Sequence, residues 1–212
     1  MTTASSTTTS STTSISLMTR REFLYYIWAA SMALFTAQAG AALLWYAYPR
    51  FKTGTFGGLF ELDISEVPPP DSPPKAFSGG RYWLVNLGDQ SLTDPRQPKD
   101  YVQTKGIKAI YMVCVHLGCL YAWVPTNDRW ECPCHGSKFL LTGTRTEGPA
   151  QRNLDTFVTQ ALDTNGNVVA ETRPSEGNEE GSAIDVSGAA RLRINTGKRI
   201  PGAVNTKPGG GR

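Results

Sequence analysis

The sequence predicts a mainly β protein: a small antiparallel β domain preceded by a single N-terminal transmembrane helix. None of the 27 residues between Glu22 and Arg50 carries a charged side chain. From Arg81 onward, short runs rich in β-branched and aromatic residues alternate with turn signals. The 21 glycines and 14 prolines in 212 residues are typical of a loop-rich β domain with linkers, and they argue against a helical bundle.

The N-terminal tail has a biased composition. Residues 2–14 are Ser or Thr except for Ala4. Such a tract cannot bury enough apolar surface to offset the entropy of ordering it. We therefore expect residues 1–19 to form a disordered tail in the cytoplasm.

The uncharged segment predicts a membrane anchor over residues 20–48. About 20 helical residues cross a bilayer core, and aromatic clusters at 23–28 and 45–48 lie where interfacial belts form. A cleaved signal peptide is an alternative, but the apolar region is too long and has no clear small-residue cleavage site. A buried core helix rarely needs this length. The pair Arg20 and Arg21 resembles a twin-arginine export signal, which serves folded, cofactor-loaded proteins.

Residues 49–79 predict a hinge and a Pro-rich linker. Three glycines fall within residues 54–58, which favours a flexible neck. The prolines at 68–70 and 73–74 favour an extended, stiff chain.

Residues 80–212 predict the β domain, with the hairpin signal Asn165-Gly166 between its late strands. The predicted strands are residues 82–87, 107–113, 121–124, 129–131, 153–162, 167–172 and 190–195. The polar, Gly- and Glu-rich residues 175–188 predict an exposed insertion, and the segment from Lys198 onward predicts a loose tail.

All four cysteines and both histidines fall within 22 residues, in two short runs. The runs contain Cys114, His116 and Cys119, and then Cys132, Cys134 and His135. Each run offers one Cys and one His at metal-ligand spacing and leaves a second Cys over. This predicts a mixed thiolate–imidazole metal centre and one disulfide between its loops. Both tetrahedral zinc and a 2Fe–2S cluster accept such donors, although zinc sites usually use the whole Cys/His set as ligands.

Residues 114–137, which read Cys-x-His, fifteen residues, then Cys-x-x-His, resemble the Rieske iron–sulfur family. The resemblance implies a Rieske-type antiparallel β domain with two cluster-binding loops and one 2Fe–2S cluster. It implies that Cys114 and Cys132 bind the inner iron and that His116 and His135 bind the outer iron. It also implies a disulfide that joins two cysteines, Cys119 and Cys134.

The same resemblance identifies residues that tune the redox potential, which spans about −150 to +300 mV in such centres. Ser137 matches a serine whose hydroxyl bonds a cluster sulfur. Phe139 stands where high-potential members have a tyrosine, so we expect a lower potential than in members with both hydroxyls. Residues 148–151, Gly-Pro-Ala-Gln, match a loop that covers the cluster, without its last proline.

The resemblance implies a bacterial electron-transfer subunit of a quinol-oxidising cytochrome bc- or bf-type complex, an oxidoreductase without turnover as an isolated chain. His135 would face the quinol as proton and electron acceptor, with His116 as the second imidazole and Leu117 and Gly118 at the contact surface. The implied partners are a cytochrome b-type subunit with the quinol site, a c-type cytochrome (or plastocyanin) acceptor, a quinol such as menaquinol, and the lipid bilayer. The chain would cross the cell membrane once, with its N-terminus cytoplasmic and the cluster domain on the periplasmic side.

Three other functions compete with this interpretation. The chain could be the Rieske subunit of another exported oxidoreductase, such as an arsenite oxidase-like complex. A Rieske oxygenase needs a second 2-His-1-carboxylate iron site, for which no histidine is left. A zinc-stabilised interaction module would be colourless and redox-silent. The net charge of +3 without a basic block gives no indication of nucleic-acid binding.

Overall fold

A computed structural model describes residues 18–48, 53–97, 104–173 and 180–204 of the chain. These residues fall into two separate compact units, an N-terminal helix and a β domain that begins after Arg50. The predicted tail lies mostly in residues 1–17, outside the described residues.

The N-terminal helix α1 spans Arg20–Ala47 and buries none of its side chains. Its start is set by a capping box, in which Thr19 accepts from the Glu22 N–H and the Glu22 carboxylate accepts from the Thr19 N–H. The helix of 28 residues is long and apolar enough to cross a membrane. At 1.5 Å per residue it is about 42 Å long, against about 30 Å for a hydrocarbon core.

The described part of the β domain contains eleven strands, one short α-helix and three 3₁₀ turns. The strands are β1 (Leu59–Asp63), β2 (Lys75–Phe77), β3 (Tyr82–Leu87), β4 (Gly106–Tyr111), β5 (Ala122–Val124), β6 (Arg129–Glu131), β7 (Lys138–Phe139), β8 (Arg145–Glu147), β9 (Thr156–Leu162), β10 (Val168–Glu171) and β11 (Arg191–Ile200). The short helix is α2 (Asp89–Leu92), and the 3₁₀ turns are Ile64–Glu66, Ser78–Gly80 and Pro125–Asn127.

Two antiparallel sheets divide the domain. The larger sheet has the order β1-β11-β9-β4-β3-β2, and β10 pairs with the end of β9. The smaller sheet, β5-β6-β7-β8, is built from a continuous stretch of chain. The first cysteine–histidine run lies in the connection from β4 of the larger sheet to β5, and the second lies between β6 and β7. The mainly β fold predicted from the sequence is confirmed.

A hydrophobic core lies beneath the cysteine–histidine runs, and aromatic side chains dominate it. The fully buried Trp130 ring packs against Trp83, Trp123 and Tyr121, with ring centroids 5.0 to 5.3 Å apart. Edge-to-face contacts of this kind contribute about 0.5–1.5 kcal/mol each beyond burial. A second core cluster lies on the larger sheet, around Phe157 and Ile194.

The strand predictions agree with the structure in position and differ at the ends. The strand at 82–87 and the hairpin of β9 and β10 are confirmed, and β4 ends two residues before the predicted end of its strand. The last strand is longer than predicted, because β11 continues through an irregularity between Asn195 and Arg199 to Ile200. The two- and three-residue strands β7 and β8 were not predicted, since such short segments show no alternation.

Part of the predicted hinge and linker belongs to the β domain. β1 pairs along its length with β11, and β2 pairs with β3. Residues 53–58, predicted as a flexible neck, are bonded to the sheet: the Gly57 N–H donates to Thr196 Oγ1 at 2.9 Å, and Phe56 stacks on Tyr111 with ring centroids 6.0 Å apart. The pairing partner β11 lies about 130 positions away, so local composition could not indicate it.

The Pro-rich part of the linker is tethered by Asp71. Its carboxylate accepts from the backbone N–H groups of Gly88, Gln90 and Ser91, and from the Ser91 hydroxyl. Burial raises the pKa of Asp71, but the hydrogen bonds from Ser91 and the backbone outweigh it, so the pKa lies below its ordinary value. The carboxylate thereby fixes residues 68–72 against the start of α2.

Two further expectations are corrected. Within the insertion predicted to be exposed, Glu180, Ala183 and Ile184 are buried, and Ile184 bridges to Ile107 of β4. Within the tail predicted to be loose, β11 extends to Ile200 and Gly202 and Ala203 are buried. Residues 174–179 and 205–212 lie outside the described residues.

Candidate metal centre

Two loops present the cysteine–histidine runs, one that enters the smaller sheet and one within it. The first ligand loop, residues 114–119, lies between β4 and β5, and the second ligand loop, residues 132–137, lies between β6 and β7. Each loop is closed by the same two backbone bonds. Cys114 N–H donates to Cys119 O and Gly118 N–H to Cys114 O; Cys132 N–H donates to Ser137 O and Gly136 N–H to Cys132 O. The four distances are 2.7 to 3.0 Å.

This shared loop conformation explains the two loop glycines. Gly118 and Gly136 have φ of +83° and +71°, in the left-handed region that glycine enters without a steric penalty. A Cβ at either position would meet no described protein atom within 4 Å. The requirement at these positions is therefore one of backbone conformation.

A disulfide between Cys119 and Cys134 joins the two ligand loops. The pairing implied by the family resemblance is thus present in the structure. The sulfur atoms of Cys119, Cys132 and Cys134 lie within 4.8 Å of one another, but two of them are bonded to each other. This group of three is therefore not a set of metal ligands.

The two remaining cysteines, Cys114 and Cys132, are free and buried side by side beneath the loops. The pKa of the Cys114 thiol is raised to about 11, chiefly by burial; a hydrogen bond from the His116 backbone opposes the rise, and the neighbouring Cys132 thiol contributes to it. A thiol in such surroundings is neutral and unreactive at pH 7. Two adjacent buried sulfurs can serve as metal ligands once the metal replaces their protons.

The two histidine rings, one from each ligand loop, stand next to each other. The ring centroids of His116 and His135 are 4.8 Å apart, and the ring planes are nearly perpendicular. His116 is half-buried and its Nδ1 is buried without a hydrogen-bond partner, whereas His135 is exposed. A buried, unpaired imidazole nitrogen beside two buried thiols fits a mixed-ligand 2Fe–2S cluster, in which iron would take the place of the missing partner.

The tip around the histidines is exposed and apolar. Leu117 is 70% exposed, and Gly118 beside it is exposed as well. Leu120, which sequence reasoning did not single out, is 68% exposed on the other side of Cys119. These exposed leucines flank Cys119, which is bonded to Cys134 next to His135, and exposed apolar side chains of this kind mark a contact surface.

Ser137 and Phe139 lie inside the domain next to the sulfurs. Ser137 is fully buried, and its Oγ accepts from the Ala150 N–H at 3.1 Å. Phe139 is fully buried against Tyr121, with ring centroids 6.1 Å apart. The Tyr121 hydroxyl donates to the Tyr111 carbonyl, so its hydrogen is directed at the backbone.

A third loop, the cover loop of residues 148–152, packs directly on the second ligand loop. Gly148 has φ of +90°, and a Cβ there would lie 2.4 Å from Ser137 Cα and 2.8 Å from Gly136 O. The Arg145 guanidinium donates to Gly148 O at 2.7 Å. The cover loop is thus in backbone contact with the residues that carry Ser137.

Comparison with known proteins supports the same conclusion as the geometry. A family profile described as the Rieske [2Fe-2S] domain matches residues 65–158. Cytochrome b6-f complex iron-sulfur subunit 2 of Nostoc sp. (strain PCC 7120 / SAG 25.82 / UTEX 2576) is 32% identical over 150 residues, which are 69% of this chain and 82% of that protein. The cytochrome b6-f complex iron-sulfur subunit of Chlorobaculum thiosulfatiphilum is 41% identical over 72 residues, 33% of this chain and 40% of that protein.

Among solved structures, the cyanobacterial plasma membrane Rieske protein PetC3 from Synechocystis PCC 6803 is 29% identical, with a TM-score of 0.30 and coverage of 45% of this chain and 80% of that chain. A chain of a hyperthermophilic respiratory Complex III is 24% identical, with a TM-score of 0.38 and coverage of 59% and 86%. The match to the Nostoc protein, over four-fifths of its length, establishes the family: this chain is a member of the Rieske [2Fe-2S] iron–sulfur proteins.

Proposed function

We propose that the chain is the iron–sulfur subunit of a cytochrome bc- or b6f-type complex that oxidises quinol. The observation that carries the proposal is the pair of histidines at the tip, one exposed and one half-buried, above two buried free cysteines. Cys114 and Cys132 hold one iron of the cluster, and His116 and His135 hold the other. The names of the relatives, which are iron–sulfur subunits of cytochrome b6-f complexes, support this assignment.

When bound, a 2Fe–2S cluster with mixed ligands takes up and releases one electron. His135 accepts the proton that the quinol loses. Its ring is exposed, so the nitrogen not bound to iron can accept a hydrogen bond from a quinol hydroxyl and keep the proton as the electron leaves the quinol. His116 is half-buried, which leaves it the weaker candidate for quinol contact.

The exposed tip provides the docking surface for a cytochrome b-type subunit. Leu117 and Gly118 form the part of this surface nearest to the histidines. Apolar contact there excludes water from the hydrogen bond between quinol and His135, which strengthens it. After separation from the quinol site, the same tip delivers the electron to a c-type cytochrome.

The membrane topology follows from two features. Helix α1 is long and apolar enough to span the bilayer, and Arg20 and Arg21 precede its apolar part as in a twin-arginine signal. The Cys119–Cys134 disulfide persists in an oxidising compartment, which favours a periplasmic β domain and a cytoplasmic N-terminus. Replacement of both arginines by lysine should leave the protein in the cytoplasm, as judged by protease protection in spheroplasts; unchanged export would contradict the twin-arginine assignment.

The residues around the sulfurs favour a potential in the lower part of the Rieske range. Ser137 offers one hydroxyl to the centre, Phe139 offers none, and the Tyr121 hydroxyl is bonded to a carbonyl. Hydrogen bonds to cluster sulfurs stabilise the reduced state, so fewer of them mean a lower potential. A lower potential suits a low-potential quinol such as menaquinol.

The first experiment is a low-temperature EPR spectrum of the membrane-bound protein, reduced with ascorbate and then with dithionite. We expect a rhombic signal with an average g value below that of the free electron, which is the signature of nitrogen-ligated 2Fe–2S. A signal that develops only with the stronger reductant supports the low-potential quinol. The absence of any signal in an iron-loaded sample would overturn the ligand assignment.

A second experiment tests the proton. If His135 takes up a proton with the electron, the midpoint potential should fall as pH rises, approaching about 59 mV per pH unit for one proton per electron. A potential independent of pH from 6 to 10 would contradict proton uptake at the histidines.

A further inference from the structure

A buried ion pair lies behind the cover loop, outside the set of residues that the function above employs. Lys108 of β4 and Glu180 are both almost completely buried, and Lys108 Nζ lies 2.8 Å from Glu180 Oε1. Lys108 Nζ also donates to Thr142 O at 3.0 Å. The pair therefore connects the centre of the larger sheet to the turn that leads into β8.

Glu180 extends this connection to the cover loop. Its second oxygen, Oε2, accepts from Asn153 Nδ2 at 3.0 Å and from the Ala203 N–H at 3.2 Å. Asn153 in turn accepts the Arg145 N–H through Oδ1 at 2.8 Å. Arg145 and Asn153 stand on either side of the cover loop, so this bond closes its base, while the Arg145 guanidinium holds Gly148 O.

The cover loop then acts on Ser137. The Ala150 N–H donates to Ser137 Oγ at 3.1 Å, which occupies an acceptor position of the hydroxyl. A hydroxyl has one hydrogen to donate, and because the Ala150 N–H is itself a donor, the Ser137 hydrogen must be donated to a different group. Ser137 is the fully buried last residue of the second ligand loop, so the centre is the acceptor available to it.

We propose that Lys108, Glu180 and Asn153 are positioning residues, which hold the cover loop on Ser137 and so raise the redox potential of the centre. This inference rests on the role of Ser137 proposed above. The chain lacks the last proline of the family's cover-loop pattern and has Gln151 in its place. The hydrogen bonds of Asn153 and Arg145 supply the stiffness that a second proline would give.

A purely stabilising role is a poor explanation of the ion pair. Desolvation of two charges largely cancels their attraction, and apolar replacements of buried pairs are often neutral or stabilising. A network that fixes one conformation of the cover loop explains why Glu180 is hydrogen-bonded both to Lys108 and to the Asn153 amide. It also explains why Glu180, in a segment that looks like a surface insertion, is buried.

The test uses two substitutions that cut the network at different points in the full-length, cluster-loaded protein. Glu180→Gln leaves an oxygen for Lys108 but places an amide N–H₂ against two donors, Asn153 Nδ2 and the Ala203 N–H. Asn153→Leu keeps the ion pair and removes the bond of the amide to Glu180 and its bond to the Arg145 N–H. Glu61→Gln is the control, because Glu61 forms an exposed pair with Arg193 on the far edge of the sheet. Each substitution is also combined with Ser137→Ala.

The midpoint potential is measured by redox titration followed by EPR, and hydrogen exchange of the Ala150 amide is measured in parallel. We expect Glu180→Gln and Asn153→Leu to lower the potential in the direction of Ser137→Ala, to speed Ala150 exchange, and to have no further effect once Ser137 is alanine. The control should match the wild type. If Glu180→Gln does not fold, Asn153→Leu decides alone.

The outcomes separate the two proposals. If Ser137→Ala lowers the potential but the two network substitutions leave it unchanged, or if their effects add to that of Ser137→Ala, the positioning role is wrong and the Ser137 assignment stands. If Ser137→Ala itself leaves the potential unchanged, the Ser137 assignment is wrong, and the positioning role falls with it.

Discussion

The contact between the cover loop and the second ligand loop leads to a stability prediction with an internal control. Gly148 and Gly188 both have positive φ, +90° and +77°. A Cβ at Gly148 would lie 2.4 Å from Ser137 Cα, whereas a Cβ at Gly188 would meet nothing within 4 Å. Alanine at either position should lower the free energy of unfolding by about 1–2 kcal/mol, because it must adopt the left-handed conformation. Only Gly148→Ala should lower it further, by about 1–3 kcal/mol, because its methyl group has no space.

The additional destabilisation of Gly148→Ala should appear as a lower melting temperature. In a domain of this size each kcal/mol lowers Tm by about 2–4 °C, so Gly148→Ala should melt about 2–12 °C below Gly188→Ala. Both variants are melted as full-length protein in one detergent, followed by the visible circular dichroism of the centre and by tryptophan emission. Equal melting temperatures for the two variants would refute the reasoning, since the cover loop would then not be packed on Ser137.

Three further predictions concern other parts of the domain. Phe139→Tyr adds a hydroxyl beside the sulfurs and should raise the midpoint potential; redox titration checks this, and a lower potential would contradict it. The double substitution of Cys119 and Cys134 by alanine removes a cross-link of sequence separation 15, which should cost about 3 kcal/mol in a denaturant titration; an unchanged midpoint would contradict it. Because the folded-state pKa of Asp71 lies below its unfolded value of about 3.9, its contribution is complete above that pH and is lost as pH falls through the folded-state value. Asp71→Asn should therefore lower stability at pH 7 by about 1–2 kcal/mol and flatten the acid limb of a pH–stability curve, and a limb as steep as the wild type's would show that Asp71 is not responsible.

The centre was predictable because its signal is local. The six cysteines and histidines lie in two short runs, so spacing alone indicates which side chains can meet. The disulfide pairing of Cys119 with Cys134 could be assigned only through the family resemblance, because sequence alone does not fix which two of the four cysteines are joined. The strands of 82–87 and the Asn-Gly hairpin were equally local signals, and they were found.

Long-range partners account for most of what was missed. β1 lies in a segment with linker composition, and it is a strand because β11 offers it an edge. Glu180 lies in a polar run that resembles a surface insertion, and distant partners such as Lys108, 72 positions away, explain its burial. The neck residue Phe56 illustrates the same point, since its partners Tyr111 and Phe157 belong to strands of the distant sheet.

The aromatic cluster beneath the ligand loops has a spectroscopic consequence. Of the five tryptophans in the chain, three share one core with the free cysteines: Trp130 is fully buried between Trp83 and Trp123, in the same core as Cys114 and Cys132. An iron–sulfur cluster absorbs where indoles emit, so its presence should quench the emission of these three tryptophans. The tryptophan emission thus reports cluster occupancy, so incomplete cluster loading of any variant can be recognised before its redox potential is interpreted.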